Sequence, residues 1–128
     1  MAGVILDSSA LLAILNPGDV HHDAVVDHLK DRAESFSISA ITLVETLIYA
    51  FRQSPSAGQR YKTSVDRAIR EVLPVDENVA LEAAKIRAKT QLKVPDAIIC
   101  ATANLTGARL WTLDRRLAKA HKGAVLIA

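Results

Sequence analysis

Short, largely apolar segments that each end at an aspartate constrain the fold of this chain more than any other feature. Gly3 to Leu6 leads into Asp7, and Arg109 to Leu113 leads into Asp114. Apolar runs of this length are typical of strands buried on both faces, as in a parallel sheet. The sequence therefore predicts parallel strands, two of which are followed directly by an acid.

Helical patterns separate the predicted strands. Ser8 and Ser9 are expected to cap a first helix that runs to Leu15 and stops at the Asn-Pro-Gly of residues 16–18. Gly107 is suited to end a later helix. Further helices are expected over residues 19–33, 40–52, 61–72, 79–86 and 96–107, with a break at 53–58, a loop at 91–94 and short strands at 35–39, 73–75 and 124–127. This alternation predicts an α/β fold with a central, mainly parallel sheet and helices on both sides.

Length and composition limit the alternatives. With 128 residues the chain is expected to form one domain, residues 1–128, and its apolar half suggests a surface covered by another chain. The longest apolar run, Ala10–Leu15, is too short to cross a membrane, and the start MAGVILD lacks a basic leader, which favours a cytoplasmic protein. The lone Cys100 is expected to be a packed thiol.

Four acids occupy comparable places in the predicted sheet. Asp7 and Asp114 follow strands, and Glu45 and Asp96 are expected in the first turns of helices that begin at the same edge. In parallel sheets ligands bind beyond the carboxyl ends of the strands, where the strand order reverses, so all four acids can share one crevice. A divalent cation there would offset their mutual repulsion.

Each acid also has a purely structural interpretation. Asp7 and Asp114 can cap helices, Asp96 suits a first turn, and Thr42 with Glu45 fits a T-x-x-E capping box. Against the last interpretation, Glu45 lies one helical turn from apolar neighbours, where an unpartnered carboxylate is costly. Those neighbours are Ile41, Ile48 and Tyr49.

The donor types indicate the chemistry of such a site. Carboxylates without a set of His or Cys ligands suit Mg²⁺ or Mn²⁺, which accept phosphate oxygens, so a phosphoryl substrate is expected. The four histidines are expected to be solvated surface residues: His21, His22, His28 and His121. The net charge is +2, from 16 basic against 14 acidic residues; with four acids at a metal site, 16 against 10 leaves +6, which favours a polyanion.

Four sequence blocks together resemble the PIN domain family, and within it the short VapC-type toxins. They are VILDSSALLAIL, ITLVETLIYA, VPDAIICATA and LWTLDRRL, and they span nearly the whole chain. The resemblance implies a three-layer α/β/α fold and a ribonuclease that depends on Mg²⁺ or Mn²⁺. It also implies a homodimer and a cognate antitoxin that covers the site.

The resemblance assigns roles residue by residue. Asp7, Glu45, Asp96 and Asp114 match the family's catalytic, metal-binding acids, and we expect Asp7 and Asp96 to be the closest ligands. Ser9 and Thr112 match supporting hydroxyl positions. One departure is Leu117, where many relatives carry an aromatic residue.

Basic residues follow the last acid of the set. Arg115 and Arg116 come directly after Asp114, and Lys119 lies one turn further on. We predict that these three residues bind RNA phosphates beside the metal site, although a solvated basic helix face is the competing interpretation. An antitoxin is expected to direct a basic side chain toward the same acids.

Two other functions compete with the nuclease. A phosphotransfer or phosphatase domain would also place an aspartate after the first strand, but Ser8 and Ser9 replace the D-x-D of such phosphatases, and no G-x-x-x-x-G-K-[ST] loop indicates an NTPase. A PIN-like module that binds RNA or protein without cleavage is the second alternative. The intact set of four acids argues against it.

Overall fold

The computed structural model describes residues 3–30 and 35–127. Strands and helices alternate along most of this part of the chain, as the sequence pattern predicts. In chain order the elements are β1 (Val4–Leu6), α1 (Ser8–Leu15), α2 (His22–Lys30), β2 (Phe36–Ser39), α3 (Ala40–Gln53), α4 (Pro55–Ala68), β3 (Glu71–Leu73), α5 (Glu77–Lys89), α6 (Val94–Thr106), β4 (Arg109–Thr112), α7 (Arg115–Ala120) and β5 (Ala124–Leu126).

The five strands form one parallel sheet with the order β3-β2-β1-β4-β5. Strand β1 is central, and it pairs Val4 with Phe36 of β2 and Val4 with Arg109 of β4. The chain winds from β1 toward β3 and then crosses back to β4, so the strand order reverses between β1 and β4. Such a reversal opens a crevice at the carboxyl ends of the two strands.

Helices cover both faces of the sheet. Alternate residues of β1 point to opposite faces, so their apolar side chains pack against helices on each side. Val4 and Leu6 pack in one core with apolar residues of α1, α2 and α4, whereas Ile5 packs in a second core with α6 and α7. A smaller cluster joins α5 to α6. The result is the expected three-layer α/β/α arrangement.

Helix α6 brings its acid to the crevice and ends as predicted. It begins at Val94, so Asp96 lies in its first turn, and it ends at Gly107 with φ of 71°. A left-handed C-cap favours glycine because a Cβ is strained there.

Two predicted helix caps are wrong. Asp7, not Ser8 or Ser9, caps α1, because its carboxylate accepts the backbone N–H of Ala10 at 2.9 Å. Ser39 caps α3 by accepting the N–H of Ile41 at 3.1 Å. Because α3 begins directly after β2, the T-x-x-E of Thr42 and Glu45 lies inside the helix and forms no capping box.

Several predicted boundaries also move. The break expected at residues 53–58 is mostly helical, since Ser54 caps α4 and Pro55 opens it. Strand β3 covers residues 71–73, so Val72 belongs to a strand and not to the preceding helix. Helix α2 begins at His22 instead of residue 19, and its expected end at residues 31–33 lies outside the described residues.

Close packing between α3 and α4 explains the small residue in the expected break. A Cβ at Gly58 would come within 2.1 Å of the Phe51 ring. Glycine therefore lets α4 approach α3 where a larger residue would collide with it.

Candidate active site

The four predicted acids lie at the carboxyl edge of the sheet. Asp7 directly follows β1 and Asp114 lies two residues after β4, on either side of the crevice. The Asp7 N–H donates to the Trp111 carbonyl at 3.2 Å, which extends the pairing of the two strands to this point. Asp96 is in the first turn of α6 as predicted, but Glu45 is in the second turn of α3 and not the first.

Asp7 is the most enclosed of the four acids, with only 4% of its surface exposed. One carboxylate oxygen, Oδ1, accepts the Ser9 hydroxyl at 2.7 Å and the Ala10 N–H at 2.9 Å. The other, Oδ2, accepts the Thr112 hydroxyl. Burial raises the pKa of Asp7, the hydrogen bonds oppose that rise, and the charge of Asp114 adds to it.

The two predicted supporting hydroxyls both contact Asp7 and also hold the strand end of β4. The Ser9 hydroxyl accepts the Leu113 N–H at 3.1 Å, and the Thr112 hydroxyl accepts the Asp114 N–H at 2.9 Å. Each hydroxyl therefore donates to the carboxylate and accepts from the backbone that leads to the next acid. This network fixes the side-chain direction of Asp7.

Asp96 responds electrostatically to the other three acids. Its pKa is raised first by burial and then by the charges of Asp114, Asp7 and Glu45, while Lys93 lowers it. Asp96 and Asp114 also line one cavity, which places these two carboxylates close to each other. The structure thus brings the predicted acids to one edge.

Glu45 is exposed, and it joins the cluster through a contact that the sequence did not reveal. The Ser8 hydroxyl donates to Glu45 Oε1 at 3.0 Å across 37 residues of sequence. The apolar flank that argued for a partner at Glu45 is itself largely at the surface, since Ile48 and Tyr49 are exposed. That argument from burial was therefore wrong, although the residue lies beside the other acids.

Asp114 has a structural role as well as its place in the cluster. Its Oδ1 accepts the Arg116 N–H at 2.8 Å and the Leu117 N–H at 3.4 Å, which caps α7. Leu117, the position at which this sequence departs from the resemblance, is buried in the core beneath α7. The capping interpretation and the cluster interpretation of Asp114 are both compatible with this geometry.

Several carboxylate oxygens of these acids already accept hydrogen bonds from N–H or hydroxyl groups of the protein. Among residues 3–30 and 35–127, no three carboxylate, imidazole or thiol groups are arranged so that they could hold a metal ion. The donor set nevertheless suits a hard cation, because it consists of mutually repelling carboxylates without imidazole or thiolate ligands.

A cavity of about 140 Å³ adjoins the acids between the α5–α6 loop and α7. Asp96 and Asp114 line this cavity. Lys93 and Arg116 also line it and add positive charge. Arg115 and Lys119 are exposed on α7 outside this lining. Sequence reasoning missed Lys93, although its position three residues before Asp96 places it at the start of the same helix.

The remaining titratable residues divide into confirmed and incorrect predictions. Cys100 is a packed thiol, and burial, followed by the charges of Asp96 and Asp7, raises its pKa to about 12. His21 is exposed as predicted. The other histidines are not merely solvated: His22 Nδ1 lies 2.7 Å from the Ala13 carbonyl, His28 packs edge-on to Trp111, and burial lowers the pKa of His121.

Comparison with known families gave one match that spans most of the chain. The PIN domain family matches residues 4–123. A comparison with curated proteins gave no match. No helix in the described part of the chain is both long and apolar enough to cross a membrane.

Several solved structures resemble this chain over nearly their whole length. A toxin–antitoxin complex from Klebsiella pneumoniae and FitAcB from Neisseria gonorrhoeae each share 25% identity, with a TM-score of 0.76 and 95% of both chains covered. VapC20 from Mycobacterium tuberculosis, described as a sarcin-ricin loop cleaving toxin, shares 18% identity with a TM-score of 0.75 and covers 97% of this chain and 98% of its own. The last similarity supports the fold alone.

Proposed function

This chain belongs to the PIN domain family, and on that premise we propose that it is a ribonuclease dependent on Mg²⁺ or Mn²⁺ and the toxin of a toxin–antitoxin pair. The observation that carries the proposal is the placement of the acids: Asp7 and Asp114 follow adjacent strands at the strand-order reversal, and Asp96 lines the same cavity as Asp114. Four carboxylates at a strand-order reversal are a costly arrangement for a protein that does not bind a cation there.

The acids have distinct parts in this proposal. Asp7 and Asp96 are the closest ligands, because Asp7 is fixed by Ser9 and Thr112 and Asp96 projects from the first turn of α6. Glu45 and Asp114 complete the negative site from its exposed sides. When bound, a divalent cation supplies the Lewis acidity that activates water and neutralises charge on an attacked phosphodiester.

Basic residues on α7 are proposed to hold the RNA backbone. Arg115, Arg116 and Lys119 are all exposed, and α7 begins immediately after Asp114. Positive charge at this place attracts a polyanion that the acids alone would repel. Arg116 is the one of the three that lines the cavity beside Asp96 and Asp114.

The proposed protein partners are an antitoxin and a second copy of this chain. Similar solved structures include a toxin–antitoxin complex and two complexes described as bound to promoter DNA or DNA. Helix α3 exposes Val44, Ile48, Tyr49 and Phe51, and such a group of apolar side chains is suited to burial by another chain. The cytoplasmic location predicted from the sequence is retained in this proposal.

A cleavage assay with defined cations tests the activity. The purified protein is incubated with a panel of RNAs in Mg²⁺, in Mn²⁺ and in chelator, and we expect discrete cuts that chelator abolishes. Asp96→Asn should abolish the cuts, whereas Asp23→Asn, an exposed acid in the first turn of α2, should cleave normally. Equal cleavage by wild type and Asp96→Asn would contradict the proposal.

The alternatives give different results in that assay. A non-catalytic PIN-like module would bind RNA without cutting it in either metal. A phosphatase or phosphotransfer domain would release phosphate from small phosphoesters and leave internal RNA bonds intact. Neither pattern fits the proposed nuclease.

A further inference from the structure

The cavity beside the acids is lined by side chains of both charges, and the acid cluster alone does not account for the positive ones. Asp96 and Asp114 contribute negative charge, and Lys93 and Arg116 contribute positive charge from two separate elements. Lys93 stands at the start of α6 and Arg116 in the first turn of α7. The cavity is therefore bordered by cations from both the α5–α6 loop and α7.

The two cations are available to a ligand. In the part of the chain that the structure describes, the ion pair within 4.0 Å is Lys62 with Asp66, so neither Lys93 nor Arg116 is neutralised by such a contact. Both residues are exposed. Lys93 is close enough to lower the pKa of Asp96, which places its charge beside the acids without pairing it to them.

The volume of the cavity limits what it can hold. At about 140 Å³ the cavity is smaller than the pockets that hold whole organic ligands. Pockets for whole organic ligands are typically about 300–1,000 Å³.

We propose that Lys93 and Arg116 form a subsite for one RNA backbone phosphate next to the phosphodiester that is cut. The inference rests on the proposed function and adds a positioning residue, Lys93, to it. The occupant is a phosphate, because the cavity is small and Lys93 and Arg116 offer it cationic donors from two separate elements. Such a subsite fixes the register of the RNA without reading its sequence.

In this proposal the basic residues on the two sides of the crevice have different roles in binding RNA. Arg115 and Lys119 lie outside the cavity and can contact phosphates further along the strand, where contacts are interchangeable. Lys93 is proposed to contact one phosphate at a fixed distance from the cut. Its removal should therefore have an effect that depends on a single position in the RNA.

Binding of chemically modified RNA tests the subsite. The probe is a short single-stranded RNA that the wild type cleaves, together with derivatives in which one phosphate at a time is a neutral methylphosphonate. Fluorescence anisotropy is measured in an Asp96→Asn background so that the probe stays intact. Lys93→Ala should weaken binding about tenfold and reduce the salt slope by about one unit.

The RNA phosphate that Lys93 contacts is identified by combining the Lys93→Ala substitution with each methylphosphonate and testing whether the two losses of affinity add. One methylphosphonate next to the cut should weaken binding by the parent protein but have no further effect in Lys93→Ala, since both changes remove the same contact. Lys93→Arg should keep the charge and most of the affinity. Lys85→Ala is the matched control, because Lys85 lies beside Thr102 and Thr106, toward the opposite end of α6.

The outcomes separate this inference from the function on which it rests. If Lys93→Ala binds like Lys85→Ala at every methylphosphonate position, the phosphate subsite is wrong while the nuclease stands. If the wild type fails to cut any RNA in Mg²⁺ or Mn²⁺, the proposed function and the subsite both fail. Melting temperatures near that of the parent protein show that the variants are folded.

Discussion

Leu6 and Asp7 are neighbours in the chain, yet they belong to two regions that follow opposite rules. Leu6 ends β1 inside an apolar core and is fully buried. Asp7 is almost as buried, but it holds a carboxylate whose pKa is raised by that burial. Within one residue the chain passes from a region that gains free energy by excluding water to one where exclusion of water is costly.

The difference shows what each region contributes. The side chains that pack on the two faces of the sheet stabilise the fold. At the carboxyl edge, part of that stability is offset by holding several negative charges close together. The hydrogen bonds from Ser9 and Thr112 reduce the cost of that charge but do not cancel it, since the pKa of Asp7 is still raised. Substitutions on the two sides of this boundary should therefore affect stability and activity in opposite proportions.

The largest effect on stability is expected on the apolar side. Leu6→Ala removes a fully buried side chain from the central strand and should lower the free energy of unfolding by about 2–5 kcal/mol. Urea denaturation measures the change. A loss below about 1 kcal/mol would show that the core around β1 does not supply the stability that its burial indicates.

Asp7→Asn should reverse the pattern of Leu6→Ala. An amide keeps the oxygen that accepts the Ala10 N–H and removes the buried charge, but its NH2 group cannot accept the Thr112 hydroxyl, so the free energy of unfolding should change by at most about 1–2 kcal/mol. Cleavage should fall by about a hundredfold or more, because a carboxylate next to the reacting phosphate is lost. Single-turnover cleavage and urea denaturation of the same sample separate the two effects.

Asp96→Asn should stabilise the protein while it inactivates it. This residue is opposed by three carboxylates, and its substitution relieves that repulsion. Because Asp96 is only half-buried, solvent screening limits the gain to at most about 1 kcal/mol. A melting temperature below that of the wild type would mean that the acids do not repel one another as the structure indicates.

Cys100 tests the boundary from the interior. It lies one helical turn after Asp96 and its pKa is raised to about 12, so at pH 8 its thiol should stay protonated and unreactive toward Ellman's reagent. Denaturant should expose it to full reaction. Rapid labelling of the native protein would show that the core beneath the acids opens readily.

The smallest effect is expected from His121, at the far end of α7. Burial lowers its pKa, so the unfolded chain takes up a proton near pH 6.5 before the folded chain does. The free energy of unfolding is therefore highest above pH 6.5, where His121 is neutral in both states. It decreases as the pH falls below that value, because the unfolded chain is protonated first. Urea midpoints at pH 7.5 and 5.5 should differ less in His121→Gln than in the wild type.

Local patterns were sufficient to predict the main architecture. Apolar runs that end at Asp7 and Asp114 predicted strands of a parallel sheet, and Gly107 predicted a helix end. These features depend on neighbouring residues, so a single sequence carries them. The alternation of strands and helices then led to the α/β fold.

The incorrect predictions depend on which of several local partners is chosen in three dimensions. Ser8 can cap a helix, but Asp7 takes that place and frees Ser8 to reach Glu45. Thr42 fits a capping box, yet the direct junction of β2 with α3 makes Ser39 the cap. Both caps are local hydrogen bonds, from Ala10 to Asp7 and from Ile41 to Ser39, and the sequence offered more than one candidate cap for each helix.

The cavity was equally beyond sequence reasoning. Lys93 and Arg116 are 23 residues apart, and the fold of α6 and α7 brings both to one lining. The sequence around Arg116 predicted a phosphate contact, whereas the sequence around Lys93 predicts only an exposed cation. Both cations line one cavity because the loop before α6 faces the start of α7.

Direct measurement of Mn²⁺ binding tests the central claim that the carboxyl edge is a cation site. Electron paramagnetic resonance of free Mn²⁺ is recorded as wild type, Asp7→Asn, Asp96→Asn and the control Asp23→Asn are titrated. We predict that the first two substitutions weaken binding by about 10- to 100-fold and that Asp23→Asn has no effect. Equal Mn²⁺ affinity in all four proteins would contradict the account.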